Sequence, residues 1–547
     1  MLKNHPRGLM VLFFTEMWER FGYYLMLGIF YLYMTDSTDT GGMGLPLEQA
    51  ADIVGTYLAL VYLTPFIGGL LADRILGYRL AIFIGGGLMA AGYIGMALSG
   101  WTAFWVSLLL IIFGNGFFKP NMSTLVGNLY SSEEYKGLKD SGYNIFYMGI
   151  NIGAFVCNFV AAYLRNNYGW GWAFAAAGIG MILGLIWFAT GQKDVRDADV
   201  LKPKEAQDMP LAKIFGIVLL PAVLFGFIGW MLPGNIFSSD STDAFIFGSI
   251  PVIIFYFSLW VRASKEDKSP IAALLAIFGV VIIFWAIFHQ NGSALTIWAE
   301  DYTNRELPAA MEPVAETLGM VQEVDTSPRE IIETDAHRVP VLDESGEPKT
   351  TMGPDPYFKN VPKEEWPSQG ESLKLISTEI FQSVNPFFVV FLTPLVVAFF
   401  TMLRKRGKEP STPGKIGWGL FITALSTLVM VGAVFASQNG MEKSSPAWLI
   451  ASYGVITVGE LFLSPMGLSL VSKLSPPRLT SLMMGGWFLS TSLGNKLSGV
   501  LASLWNMYDH KAVFFLVNFT GAMFAAFAVF VMLKWLRRVV QEHTGGS

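Results

Sequence analysis

The stretch TEMWERFGYY, Thr15–Tyr24, places two carboxylates and a guanidinium inside an otherwise apolar run over residues 11–33. A charged side chain at the centre of a bilayer costs at least about 2.5–3.5 kcal/mol on insertion scales. If the run is helical, Glu16, Glu19 and Arg20 fall at i, i+3 and i+4 on one face. Two explanations remain open at this point: a structural ion pair with a neighbouring helix, or a functional site within the membrane.

The composition of the whole chain is that of a membrane protein. Of its 547 residues, 53% are hydrophobic and only 14% are charged, and its mean hydropathy is +0.47. A soluble domain carries about 25% charged residues. About fourteen apolar stretches approach the roughly 20 residues that a helix needs to span a bilayer. The sequence therefore predicts an all-α polytopic membrane protein with about fourteen transmembrane helices.

Basic, proline-containing segments divide these helices into groups of six, two and six, which predicts two six-helix bundles with an inserted helix pair. The predicted parts are an N-terminal bundle at 1–190, a cytoplasmic linker at 191–210, the inserted pair at 211–262, the first helix of the C-terminal bundle at 263–300, a long periplasmic loop or small subdomain at 301–374, and the remaining five helices with a cytoplasmic tail at 375–547. Within the long loop, the alternation around Asp343–Gly346 favours a hairpin. An ordered subdomain and a disordered loop remain equally open.

The placement of Lys and Arg predicts the orientation. These residues cluster at 193–213, 262–268, 404–415 and 534–538, which are all on one side when the helices alternate in direction. Cytoplasmic loops carry an excess of cations, so both termini are expected in the cytoplasm. We expect a multi-pass protein of the inner (cytoplasmic) membrane of a bacterium.

Two further charges lie inside predicted helices. Lys119 occurs in GNGFFKPNMS (114–123) and Glu460 in GELFLSPMGLS (459–469), each followed by a proline that is expected to break its helix. Broken helices at membrane depth line protein or a water-filled cavity. A set of acids and bases in one bundle, facing a lone acid in the other, suits a substrate that carries both charges.

Seven motifs, in order along the chain, resemble those of one family. They are EMWERFGYY (16–24), GGLLADRILGYR (68–79), NGFFKPN (115–121), YNIFYMGINIGAF (143–155), FQSVNP (381–386), GELFLSP (459–465) and MMGGWFLS (483–490). Together they resemble the proton-dependent oligopeptide transporters, a branch of the major facilitator superfamily. The resemblance runs from the first helix to the last and omits only the inserted pair and the long loop.

The resemblance implies the major facilitator fold and proton-coupled symport of di- and tripeptides by alternating access. Arg20 and Lys119 would bind the substrate carboxylate, with Asn151 nearby, and Glu460 and Asn385 would bind its ammonium group. The residues implied to line side-chain pockets are Tyr23, Tyr24, Tyr62, Trp285, Ser464 and Trp487.

The driving force implied by the resemblance is a proton gradient, and no cofactor is expected. Glu16 and Glu19 would form the proton-linked group with Arg20 and Lys119. The expected partners are small peptides, protons and the lipid bilayer, with no nucleic acid. The oligomeric state is unknown, although a monomer is the expected functional unit. The sequence contains no nucleophile–base set and no metal-ligand set that would indicate an enzyme.

The chain departs from the family at two positions. Many relatives have an arginine where this chain has Leu27 and an acid where it has His289, and the family pairs those two across the outside gate. Losing one partner of a buried pair favours losing the other. His289 is the only intramembrane histidine, and we hypothesise that it contributes to proton coupling, with a neutral hydrogen-bonded histidine as the alternative. The departure also keeps other functions open: transport of nitrate, of a drug-like compound or of a modified amino acid, or a transporter-like sensor that uses 301–374.

Overall fold

The computed structural model describes residues 5–130, 132–135, 139–200, 210–237, 239–334, 341–343, 349–476 and 479–544. Twelve helices in these residues are long and apolar enough to cross a membrane by length and composition. Two more helices, the first and the thirteenth, pack among them, which brings the described helices of this group to fourteen, the number that the apolar stretches predicted. In chain order the fourteen are α1 Gly8–Thr35, α2 Leu47–Leu71, α3 Tyr78–Gly95, α4 Trp101–Leu129, α5 Lys139–Tyr168, α6 Trp170–Thr190, α7 Leu220–Met231, α8 Asp240–Val261, α9 Lys265–Phe288, α10 Val384–Lys405, α11 Thr412–Ala436, α12 Pro446–Leu474, α13 Thr480–Ser503 and α14 Lys511–Thr544. The helix α7 is the last part of a longer helical span, Ala212–Met231.

The helices form two six-helix bundles. In the first, α3 packs along α4, α2 packs on α4, and α1 packs on α5 and α6. Small residues permit these close approaches, since a Cβ atom on Gly85 would lie 2.6 Å from the carbonyl oxygen of Gly114. In the second bundle, α11 packs between α12 and α14, while α9 packs on α13 and α14. The predicted fold class is therefore confirmed.

The inserted pair α7–α8 lies beside both bundles. The two helices pack on each other, and α8 also contacts α2, α9 and α13. Large apolar side chains such as Val223, Phe227 and Ile254 are exposed on this pair, as expected for helices that face lipid. Nine of the twenty residues of the predicted 191–210 linker, 201–209, lie outside the described residues.

The expectation that α4 and α12 are broken by proline is wrong. α4 is continuous through Pro120, and α12 is continuous through Pro465. A proline removes one intrahelical hydrogen bond, but neighbouring helices can hold the segment in a membrane protein. Here α4 packs on α2 and α3, and α12 packs on α10 and α11.

A small ordered unit connects α9 to α10. It contains a short helix, Glu312–Thr317, and two antiparallel strand pairs: β1 Val321–Asp325 with β4 Ser372–Ile376, and β2 Arg329–Ile332 with β3 Thr350–Gly353. Its hydrophobic cluster contains Val324, Tyr357, Phe358 and Leu375. The described residues of 301–374 therefore form an ordered subdomain, which is one of the two alternatives that the sequence left open. The tip of the predicted hairpin, 344–348, lies outside the described residues.

This unit defines the two faces of the molecule. We call the face that carries residues 301–376 the domain face, and the opposite face, where α1 begins and α14 ends, the termini face.

Candidate functional site

The charged stripe of α1 forms a buried ion cluster. Arg20 contacts Glu19 through two nitrogens, with Nη2 2.7 Å from Glu19 Oε1 and Nε bonded to Glu19 Oε2. Arg20 Nε also lies 3.4 Å from Glu16 Oε1. All three residues are buried, and Glu16 Oε2 has no hydrogen-bond partner among the described residues. The Arg20 guanidinium lies 4.8 Å from the ring centre of Tyr23. Arg20 is thus held mainly by Glu19, and Glu16 keeps one oxygen free.

Lys119 on α4 lies near this ion cluster but is not bonded to it. Its Nζ is 4.0 Å from the ring centre of Tyr62 on α2, a cation–π contact. It interacts electrostatically with Glu16 and with His289. Among the described residues, no carboxylate forms a salt bridge with Lys119. The cation is therefore available for an anionic ligand.

The second bundle contributes an acid and a polar network. Asn385 on α10 donates from Nδ2 to Glu460 Oε2 at 3.1 Å and to Thr457 Oγ1 at 2.8 Å. The bonds from Asn385 to α12 are helix–helix bonds, and they orient the half-buried Glu460. Near Glu460 on α12, Ser464 Oγ is buried with no hydrogen-bond partner among the described residues.

Two tryptophans complete this side of the site. Trp285 Nε1 is buried and has no partner in the part of the chain that the structure describes. Trp487 is buried on α13 and lies against Gly467 of α12, where an added Cβ would meet the indole ring at 1.9 Å. Trp487 is therefore packed between helices, whereas Trp285 retains an unused donor.

Tyr24 on α1 is influenced by charged groups of both bundles. It interacts electrostatically with Arg20 of its own helix and with Glu460 of the opposite bundle. Tyr147 on α5 interacts with Glu460, Tyr24 and Tyr62 in the same way. Asn151 donates to the Tyr147 carbonyl of its own helix at 2.9 Å. Arg20 of the first bundle and Glu460 of the second thus both lie within electrostatic range of Tyr24.

The positions that depart from the family pattern lie on the domain-face side of this site. Leu27 is buried, and a Cβ atom on Gly292 would lie 3.5 Å from its Cδ1 and 3.9 Å from Val54 Cγ1. His289 is buried, with Nδ1 3.2 Å from the Trp285 carbonyl of its own helix and its ring against Tyr62. An apolar contact therefore occupies the place where many relatives have an ion pair.

Sequence reasoning missed two ion pairs that join the bundles. Lys496 on α13 lies 2.5 Å from Asp52 Oδ1 on α2, and Arg165 Nε on α5 lies 3.2 Å from Glu379 Oε1, just before α10. Neither the sequence around Lys496 nor that around Arg165 indicates which residue pairs with it. The signal for the first was a lone acid and a lone base inside apolar spans of opposite bundles.

No group of three or more His, Cys, Asp or Glu residues in the described ranges is arranged to hold a metal ion. Two helical bundles that meet at charged groups inside the membrane are an arrangement typical of membrane transporters. The POT family model matches residues 79–321 and 369–523, and the chain belongs to that family.

Similar proteins cover almost the full length. A di-/tripeptide transporter of Lactococcus lactis subsp. lactis is 30% identical over 529 residues, 95% of this chain and 93% of the relative. An uncharacterised transporter of Bacillus subtilis is 32% identical over 518 residues, 93% of this chain and 90% of the relative. A crystal structure of a POT peptide transporter with sulfate is 30% identical, with a TM-score of 0.76, covering 98% of this chain and 96% of that one.

Proposed function

We propose that this protein carries di- and tripeptides across the cytoplasmic membrane together with protons. The observation that supports this most directly is that cations of the first bundle, Arg20 and Lys119, and an acid of the second, Glu460, gather around the same tyrosines, since Arg20 and Glu460 both act electrostatically on Tyr24 and Lys119 lies over Tyr62. A peptide is a zwitterion, and its carboxylate and ammonium groups would bind these two poles. Peptide transporters are the named function of relatives that match over nearly the whole chain.

In the proposed mechanism, protonation frees a cation for the substrate. While Glu19 and Glu16 are ionised, they hold Arg20. A proton on either acid weakens that hold, and Arg20 can then join Lys119 in binding the peptide carboxylate. Because a ligand shifts a two-state equilibrium only through different affinities for the two states, proton binding must differ between the outward- and inward-facing forms. Each charge moved contributes about 2.3 kcal/mol per 100 mV.

We also propose that the termini face is cytoplasmic and the domain face periplasmic. The cations of the described residues at 193–200, 210–213, 262–268, 404–415 and 534–538 lie toward the termini face, as expected for cytoplasmic loops. A monomer contains the whole site and is the proposed functional unit, with a proton gradient as its driving force.

The test is uptake of a labelled dipeptide into proteoliposomes with an imposed pH gradient. We expect gradient-dependent uptake that Glu19→Gln and Glu460→Gln each abolish, while Glu409→Gln, which changes a carboxylate of the termini-face loop, leaves it intact. Uptake that does not depend on the pH gradient would refute proton coupling. Competition by nitrate or by single amino acids, but not by peptides, would refute the substrate class.

A second candidate is a non-peptide zwitterion, because Leu27 removes one cation that many relatives offer to the carboxylate. One solved POT family structure, 25% identical to this chain, contains 5-aminolevulinic acid. That compound also has an amine at one end and a carboxylate at the other. Including it as a competitor in the same uptake assay distinguishes the two candidates.

A further inference from the structure

The two bundles touch at the domain face through α2 and α13. Their backbones are in direct contact, since a Cβ atom on Gly55 would lie 2.7 Å from Gly499 Cα. Ser492 Oγ donates to the Ala59 carbonyl at 2.7 Å, and Asn495 Nδ2 donates to the Leu58 carbonyl at 3.3 Å. The domain-face ends of α2 and α13 are therefore joined in this structure.

An ion pair lies within this contact. Lys496 Nζ on α13 is 2.5 Å from Asp52 Oδ1 and 2.6 Å from Thr56 Oγ1, both on α2. The Lys496 side chain is 3% exposed and that of Asp52 is 17% exposed. Burying two charges costs several kcal/mol for each ion unless further hydrogen bonds satisfy them. The pair therefore needs additional polar partners.

The inserted helix pair supplies those partners. Ser241 Oγ donates to Asp52 Oδ2 at 2.5 Å, and Thr242 Oγ1 donates to Asp52 Oδ1 at 3.0 Å. Lys496 Nζ also lies 3.0 Å from Ser241 Oγ. Both hydroxyls come from the first turn of α8. The Asp52 cluster, which we define as Asp52, Thr56, Ser241, Thr242 and Lys496, thus joins three parts of the protein: the first bundle, the second bundle and the inserted pair.

We propose that the Asp52 cluster holds the domain face closed, and that the inserted helix pair takes part in transport by stabilising this contact. The proposal rests on the proposed function, because alternating access requires the domain face to open. α2 and α13 belong to opposite bundles, so their separation breaks the ion pair. The ion pair also accounts for closure where Leu27 and His289 replace the pair found in many relatives. Asp52 and Lys496 act as positioning residues and do not bind the substrate.

The test measures the opening directly and needs no substrate. Spin labels are attached at Asp39→Cys and Met507→Cys, in a Cys157→Ser background, on the exposed domain-face loops of the two bundles. Distances are measured by pulsed electron paramagnetic resonance in lipid nanodiscs. We expect Asp52→Asn to raise the open-to-closed ratio by about tenfold or more, because a charged Lys496 remains buried without its partner. The double variant Asp52→Asn/Lys496→Gln should open less than the single one.

The inserted pair has its own matched comparison. Ser241→Ala/Thr242→Ala removes only neutral hydroxyls, so this variant remains informative if Asp52→Asn fails to fold. It should raise the open-to-closed ratio several-fold. Ser249→Ala is the control, because Ser249 is also buried on α8 but donates to the Phe245 carbonyl of its own helix. It should leave the ratio unchanged.

Two outcomes overturn parts of this proposal, and a third concerns the proposed function alone. An unchanged distance distribution in Asp52→Asn, together with a lowered melting temperature, would make the pair merely structural. Equal ratios in Ser241→Ala/Thr242→Ala and Ser249→Ala would remove the inserted pair from the gate. Absence of peptide uptake by the unmodified protein would refute the proposed function, while the distance measurement would still report on the gate.

Discussion

The prediction that tests the substrate poles most directly concerns Glu460. Glu460→Gln keeps the shape of the side chain and the contact with Asn385, which lies 3.1 Å from Oε2, but it removes the charge. A hydrogen bond to a charged group contributes about 1.5–3 kcal/mol. At about 1.4 kcal/mol per factor of ten, the Kd for a free dipeptide should rise about 10- to 150-fold.

The assay compares two ligands on two proteins. Equilibrium binding is measured for dialanine and for N-acetyl-dialanine, which lacks the ammonium group, on the unmodified protein and on Glu460→Gln. The unmodified protein should bind dialanine more tightly than N-acetyl-dialanine by the same factor of about 10 to 150. The variant should bind both ligands almost equally. Glu409→Gln should retain the preference. If Glu460→Gln preserves the same ratio between the two ligands, the ammonium does not bind at Glu460 and the reasoning is refuted.

Three further predictions concern stability and pH. Glu379→Gln leaves the Arg165 side chain, which is only 10% exposed, without the carboxylate beside it. Breaking a buried pair costs about 3–5 kcal/mol, so the melting temperature should fall, and it should recover in part in Arg165→Gln/Glu379→Gln. An unchanged melting temperature of the single variant contradicts this. If His289 contributes to proton coupling, His289→Gln should flatten the pH profile of uptake, and an unchanged profile with unchanged affinity rejects that role. On the termini face, the hydrogen bond from Arg404 lowers the pKa of Glu409 to about 2. The ionised carboxylate therefore stabilises the fold fully above its unfolded pKa of about 4.3, and this contribution is lost as the pH falls toward about 2. The difference in melting temperature between the unmodified protein and Glu409→Gln should shrink below about pH 4, and a difference that grows in acid contradicts the assignment.

The sequence alone was enough to predict the fold class and the residues proposed to form the site. The number of helices follows from the length of apolar runs, which is a local property of the chain. The stripe of Glu16, Glu19 and Arg20 follows from helical periodicity. Lys119 and Glu460 stand out because charges inside apolar spans are costly and rare.

Other features depended on tertiary packing. Residues 52 and 496 are 444 positions apart in the chain, and only the packing of α2 on α13 brings Asp52 to Lys496. In the same way, the position of α8 brings Ser241 to that pair, although nothing in its local sequence indicates this contact. Composition and periodicity describe each helix separately, whereas the partner of a buried charge is decided by which helices lie side by side. For that reason the sequence determined which charges must be buried, and only the tertiary structure decided how they are paired.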